Sequence, residues 1–153
     1  MVNGNGIRVV LWVSGCEHGC RGCFNPETWA IDSGKEFTDS ILNQLINYLS
    51  RDYVQGLTLT GGDPMHPLNR KDILFLVHEI KNKLPNKDIW MYTGYLFEEI
   101  KNDPILKHID VLVDGPFIEE MKDEKHKWGG SVNQRVIDVV NSLKIGSICL
   151  LDV

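Results

Sequence analysis

Hydrophobic positions change their period several times along this chain. Residues 7–13 (IRVVLWV) form a compact apolar run rich in β-branched residues and ended by Ser14-Gly15, a pattern that predicts a buried strand rather than part of a helix. From Thr38, a good N-cap, Ile41, Leu45, Tyr48 and Leu49 recur at helical spacing. Gly56 opens a second strand-like run, 57–60, and Gly61-Gly62-Asp63-Pro64 follows it directly. Asn69 is placed to cap another helix, with Ile73, Leu76, Val77, Ile80 and Leu84 on one face and Pro85 as its stop. A strand over 88–92, a short helix near 95–102 and a strand over 109–113 complete the regular pattern, the last ending in Asp114-Gly115-Pro116. Beyond it, 119–127 is charged and irregular.

Strands alternating with helices imply right-handed βαβ units and a mostly parallel sheet. The spacing leaves room for about half of an eight-unit barrel, so the expected fold is α/β: a single-domain partial (βα) barrel, residues 1–153, with an open sheet. The segments richest in glycine and polar residues, 14–23, 60–64, 93–94 and 114–116, each follow the C-terminal end of a predicted strand. In parallel α/β architectures that edge carries function.

Composition narrows the classes. The chain has 153 residues, 42% hydrophobic and 24% charged, enough for one core. Sixteen Lys+Arg against 21 Asp+Glu give a net charge of −5 with no basic stripe, so the expectation is no nucleic-acid partner. No apolar run approaches the roughly 20 residues of a membrane span, and Met1-Val2-Asn3-Gly4 lacks a signal-peptide pattern. No membrane partner is expected, and the cytoplasm is the expected compartment. Cys16, Cys20 and Cys23 lie together while Cys149 is remote, a poor disulfide framework and a good metal-binding pattern.

The C-x3-C-x2-C loop lets the chain curl around a centre larger than one ion. Three thiols are too few for closed tetrahedral zinc. A 4Fe-4S cluster wants four terminal ligands, so three cysteines leave one iron open unless Cys149 supplies the fourth. A Cys3His zinc site using His18 is the rival, although His18 sits close to its cysteine neighbours for a tetrahedron; a surface or supporting place for His18 is the plainer alternative. Cys149, in the apolar run 148–151, reads as a core residue more readily than as a ligand.

The loop resembles the signature of the radical S-adenosylmethionine superfamily. Asn3-Gly4-Asn5-Gly6-Ile7-Arg8, Val13-Ser14-Gly15-Cys16, Cys23-Phe24-Asn25-Pro26, Thr28-Trp29, Gly61-Gly62-Asp63-Pro64, Tyr92-Thr93-Gly94-Tyr95, Val113-Asp114-Gly115 and Gly130-Ser131-Val132-Asn133-Gln134-Arg135 narrow it: in this order they resemble the activating proteins of anaerobic (class III) ribonucleotide reductases over nearly the whole chain. The resemblance implies a glycyl-radical-enzyme activase, with Cys16, Cys20 and Cys23 as cluster ligands and catalytic centre. It implies that S-adenosylmethionine chelates the open iron through its amino and carboxylate groups. Cofactor contacts then fall to Gly61, Gly62 and Asp63 at the methionine end, and to Gly22, Cys23 and Phe24 at the adenine end. Many superfamily members have an aromatic residue where this chain has Gly22, so adenine stacking is expected from elsewhere. The implied partners are the large anaerobic ribonucleotide reductase subunit and a low-potential electron donor such as reduced flavodoxin.

Rival readings are an activator of formate-lyase-type glycyl radical enzymes, which are usually longer, a carboxy-deazaguanine synthase, whose first cysteine gap is wider, and a non-enzymatic zinc module. Asp114 is open between a ligand role and that of a loop or helix cap. Trp12 and Trp90, inside predicted strands, are expected in the core, while Trp29 and Trp128 fall in loops. Gly62 is read as facing the ligand, so valine there should weaken S-adenosylmethionine binding and leave the cluster intact.

Overall fold

The computed structural model describes residues 3–152; Met1 and Val2, the start of the stretch searched for a targeting pattern, lie outside the described residues. Four parallel strands run in sequential order, β1 (Arg8–Val13), β2 (Gly56–Gly61), β3 (Asp88–Tyr92) and β4 (Val111–Asp114), and a fifth, β5 (Arg135–Asp138), pairs antiparallel with β4. Helices α1 (Asp39–Leu49), α2 (Arg70–Lys83) and the short α3 (Phe97–Ile100) make the crossovers, and α4 (Val139–Ile145) follows β5. Among the described residues no helix is long and apolar enough to cross a membrane.

Local chemistry accounts for most of these bounds. Thr38 is extended and its side chain accepts from the Ile41 amide at 3.4 Å, which starts α1. Leu42, Leu45 and Leu49 are buried along one stripe of that helix, and Ile73, Leu76, Val77 and Ile80 do the same on α2. Asn69 precedes α2 as expected but makes no capping bond. Its amide group instead donates to the Ser14 carbonyl at 2.8 Å and the Asp63 carbonyl at 3.3 Å, holding two loops at the strand ends.

Sequential strand order with right-handed crossovers places the helices on one face of the sheet. The packing agrees: Leu57, Leu59, Ile89, Met91, Leu112 and Ile137 form one core with the helices. The alternate positions, Trp90, Val111, Val113 and Val136, form a smaller cluster on the other face. Trp12 belongs to that second face and is 50% exposed, so the expectation that it is a core residue fails, while Trp90, 3% exposed, meets it. The reason is pleat parity: position 12 points away from the helices, next to Thr60 in register, where no helix covers it. Arg8 also points inward, donating to Thr58 Oγ1 at 2.8 Å and pairing with Asp88.

The antiparallel β5 and α4 were not foreseen. Cys149 is half-buried, not a core residue; its carbonyl accepts from the Asp138 amide at 2.8 Å. Asp138 is in register with Val111, at the start of β4. Cys149 therefore sits by the last strand and at the opposite end of the sheet from Cys16, which follows the end of β1 at the other edge.

Asp114, fully buried, caps α3 through Phe97, whose amide donates to it at 2.8 Å, and receives two bonds from the Arg135 guanidinium. Arg135 also forks onto the exposed Glu98, holding that carboxyl down to about 2. Asp114→Ala should lower the unfolding free energy by about 3 kcal/mol, because it strands a partly buried guanidinium and an amide. Glu98→Gln, at the solvated end, should cost under about 1 kcal/mol; urea melts of the two variants compare them.

Candidate functional site

Where β1 ends, the chain turns outward into the cysteine loop and comes back on itself. The neck of that loop is closed by two backbone bonds, the Gly15 amide to the Thr28 carbonyl at 2.7 Å and the Cys16 amide to the Trp29 carbonyl at 3.0 Å. Pro26–Thr28 forms a single 3-10 turn that steers the return. Cys16, Cys20 and Cys23 are free thiols, each half-buried. The Cys23 amide donates to the Cys20 carbonyl at 3.2 Å, and the Cys23 sulfur accepts from the Asn25 amide and the Trp29 indole nitrogen, both at 3.4 Å.

The end of β2 packs beneath this loop. The Gly62 amide donates to the Val13 carbonyl at 2.8 Å and the Asp63 amide to the Gly15 carbonyl at 2.7 Å. Gly61 has φ +110°, a conformation that L side chains rarely adopt. At Gly62 a Cβ would lie 2.6 Å from the Gly15 carbonyl oxygen and 2.8 Å from that of Thr28. This second glycine is thus demanded by the backbone of the cysteine loop on the side to which a Cβ would project, while the residue also borders the hollow described below.

Asp63 is 1% exposed, and its carboxylate is fully engaged by protein groups. It accepts from His18 Nε2 at 2.6 Å, from the Met65 amide at 2.8 Å, from the Gly94 amide at 2.9 Å and from Thr93 Oγ1 at 2.8 Å. A buried carboxylate requires such a set. His18 stands edge-on to Tyr95, ring centroids 4.6 Å apart, and a Cβ on Gly94 would lie 2.5 Å from its ring. The hydrogen bond to Asp63 pushes the His18 imidazole up from its ordinary value, with burial opposing. Burial raises the Cys16 thiol, partly offset by a backbone hydrogen bond from His18.

Two adjoining hollows open beside these loops. The smaller, about 130 Å³, is lined by Cys16, Cys20, His18, Gly61, Gly62 and Asp63 among others. The larger, about 800 Å³, lies against the uncovered sheet face between Trp12, Phe24 and a strap formed by 122–130. Thr60, Tyr92 and Gln134 border both. The strap carries Trp128 at φ +74°, the only non-glycine residue with positive φ among the described residues, edge-on to Trp90 at 5.4 Å. Gln134 stitches it down: its Oε1 accepts from the Gly130 amide at 2.7 Å and its Nε2 donates to the Gly115 carbonyl at 3.0 Å.

The structure therefore brings Cys16 and Cys20 together with Gly61, Gly62 and Asp63 around one hollow. Phe24, 61% exposed, faces the larger one and packs on Phe117. Cys23 borders neither hollow, and Gly22 lies at the outer rim beside Glu119. Sequence reading missed the roles of Asn69, Thr93, Trp29 and Gln134; Thr93 carried a signal, since it stands directly after a strand.

The donor set suits a multi-iron cluster. Three thiols are strung along one curled loop, each able to take a separate iron. Among the described residues no three His, Cys, Asp or Glu side chains are gathered closely enough for a single metal ion, and the Nε2 of His18, the fourth ligand a zinc site would recruit, is taken by Asp63.

Comparison with known proteins agrees with this donor chemistry. Residues 2–137 match the family described as a 4Fe-4S single cluster domain. The anaerobic ribonucleoside-triphosphate reductase-activating protein of Enterobacteria phage T4 is 50% identical over 135 residues, 88% of this chain and 86% of the phage protein. Proteins of the same description from Haemophilus influenzae and Escherichia coli (strain K12) are each 46% identical, over 138 and 140 residues. They cover 88% and 89% of this chain, and 89% and 91% of their own lengths.

Gly62→Ala should disturb the cysteine loop as well as the hollow, since its methyl group meets two backbone oxygens that cannot move independently. The expected outcome is a lower melting temperature of the metal-free chain together with reduced iron uptake on anaerobic reconstitution. A variant with normal melting and normal iron would contradict it.

Proposed function

The chain belongs to the anaerobic ribonucleoside-triphosphate reductase-activating proteins, with their 4Fe-4S single cluster domain, and we propose that it cleaves S-adenosylmethionine to generate a glycyl radical on its reductase partner. The observation that carries this reading is the meeting of Cys16 and Cys20 with the paired glycines Gly61 and Gly62 around one hollow that shares Thr60, Tyr92 and Gln134 with a much larger cavity. Cys16, Cys20 and Cys23 would hold the cluster through their thiolates. Bound there, the cluster would supply the single electron that reductive cleavage of S-adenosylmethionine requires, the broken carbon–sulfur bond giving methionine and a 5′-deoxyadenosyl radical able to take a hydrogen atom from the partner's glycine.

The remaining steps fall to the chain's own residues. Gly61 and Gly62 present bare backbone to the hollow, suited to the amino and carboxylate groups of methionine. Asp63 contributes by position: its carboxylate is committed to His18, Thr93 and two amides, so it orders the loops around the ligand. Phe24, part of the larger wall, would serve the adenosine end, with Gly22 nearby on the same loop and outside both hollows. Trp12, Phe24, Tyr92 and Trp128 give that cavity an aromatic lining. Its size, about 800 Å³, lies in the upper range of ligand sites, room for a nucleoside and an extended peptide segment together.

This reading includes a partial (βα) barrel formed by the open sheet and a single radical S-adenosylmethionine domain over 1–153. It places the protein in the cytoplasm, reduced by a low-potential carrier such as flavodoxin. Glycine suits the hydrogen donor because it has no side chain to obstruct approach, and the product radical is delocalised onto the flanking amides.

Anaerobic reconstitution with iron and sulfide should give about four irons per chain and a broad sulfide-to-iron absorption band. Cys16→Ala, Cys20→Ala and Cys23→Ala should each lose them. Cys149→Ala should keep them, since Cys149 lies at the other end of the sheet. With reductant, S-adenosylmethionine and the reductase, electron paramagnetic resonance should record a glycyl doublet that disappears when the partner's glycine is replaced by alanine. A doublet that survives that replacement would overturn the reading.

A further inference from the structure

Trp29 is bound to the cysteine loop through both its backbone and its side chain. Its carbonyl accepts from the Cys16 amide at 3.0 Å, its amide donates to the Pro26 carbonyl at 3.2 Å, and its indole Nε1 lies 3.4 Å from the Cys23 sulfur. The Asn25 amide points at the same sulfur from 3.4 Å. Trp29 is 38% exposed, so its ring is not there to fill the core. The indole N–H, which water could have satisfied, is spent on a thiol.

We propose that Trp29 tunes the reduction potential of the cluster held by Cys23, raising it through the indole N–H···S hydrogen bond. The inference rests on the cluster reading above and goes beyond it in assigning this role to a residue that ligates nothing. Reducing the cluster adds one electron, and no bond forms or breaks. The extra negative charge spreads over the sulfurs, where a donated N–H stabilises the reduced state more than the oxidised one. Indole only donates and does not titrate in the ordinary range, so its contribution is a fixed dipole. With the Asn25 amide it makes Cys23 a doubly supported thiolate, at a position the backbone of Trp29 ties to Cys16.

Trp29→Phe removes the N–H and keeps an aromatic ring and the backbone bonds. In the reconstituted protein, a mediated redox titration followed by the resonance of the reduced cluster should give a more negative midpoint than wild type. At a fixed poise the ratio of reduced to oxidised cluster should fall about fivefold, the worth of one net hydrogen bond. Two controls accompany it: iron content, and hydrogen exchange of the peptide containing Cys16 in the metal-free chain, both expected unchanged. An unaltered midpoint with full iron overturns the proposal. Iron loss accompanied by faster exchange at Cys16 overturns it too, by making Trp29 a fold residue. Failure of the underlying cluster reading looks different: the wild-type chain itself would then show no 4Fe-4S absorption.

Discussion

The carboxylate of Asp63 is the constraint on which the rest of the functional edge depends. Burying an ionised carboxylate costs several kcal/mol unless every lone pair finds a donor, and here the donors come from three loops in succession. His18 arrives from the loop after β1, Met65 from the segment beyond the paired glycines, and Thr93 and Gly94 from the loop after β3. No one of these loops can shift without leaving the charge short of a partner. Glycine at 94 follows from the same arrangement, since the His18 ring occupies the volume a Cβ would need. Gly62 follows from another contact at the same place, the close passage of β2's exit under the backbone of residue 15.

A second constraint comes from topology. Sequential parallel strands leave one sheet face for helices and the other for something else, and in this chain the second face carries Arg8, Trp12, Thr60, Tyr92 and Trp90 beside the valines of β4 and β5. The 122–130 strap spans part of it, with Trp128 held in a left-handed conformation against Trp90, a backbone state that costs of order 1–3 kcal/mol for such a residue. Strain of that size persists where surrounding contacts fix it, and His126 and Gln134 supply them: His126 donates to the Gln134 carbonyl at 2.7 Å while Gln134 receives the Gly130 amide.

Much of this was legible in the sequence. The periods of α1 and α2, the 88–92 strand and the placing of polar glycine-rich segments beyond strand ends depend on local chemistry, and each was read close to its observed bounds. What failed was the information that only pairing supplies. β5 is four residues long and antiparallel, and its sequence, RVID, has no period distinguishable from a loop. Trp12 was misassigned because composition does not say which sheet face a crossover will cover. At the site, the cysteine spacing placed the thiols on one loop, and the matching of 4Fe-4S single cluster and activating-protein relatives agrees with that resemblance. Asp63 was marked as functional for its charge; its actual partners lie up to 45 residues away in the chain, and no local pattern encodes them.

The two bonds at the neck of the cysteine loop bear on how the protein is assembled. Because Gly15 and Cys16 are already fastened to Thr28 and Trp29, and His18 to Asp63, the loop is ordered by contacts that involve no metal. Small zinc modules draw most of their folding free energy from the ion and unravel when it is removed. Here the neck bonds and the contact between His18 and Asp63 set the path of the ligand loop through protein groups, so the placing of the thiols is tied to the sheet's own strand ends.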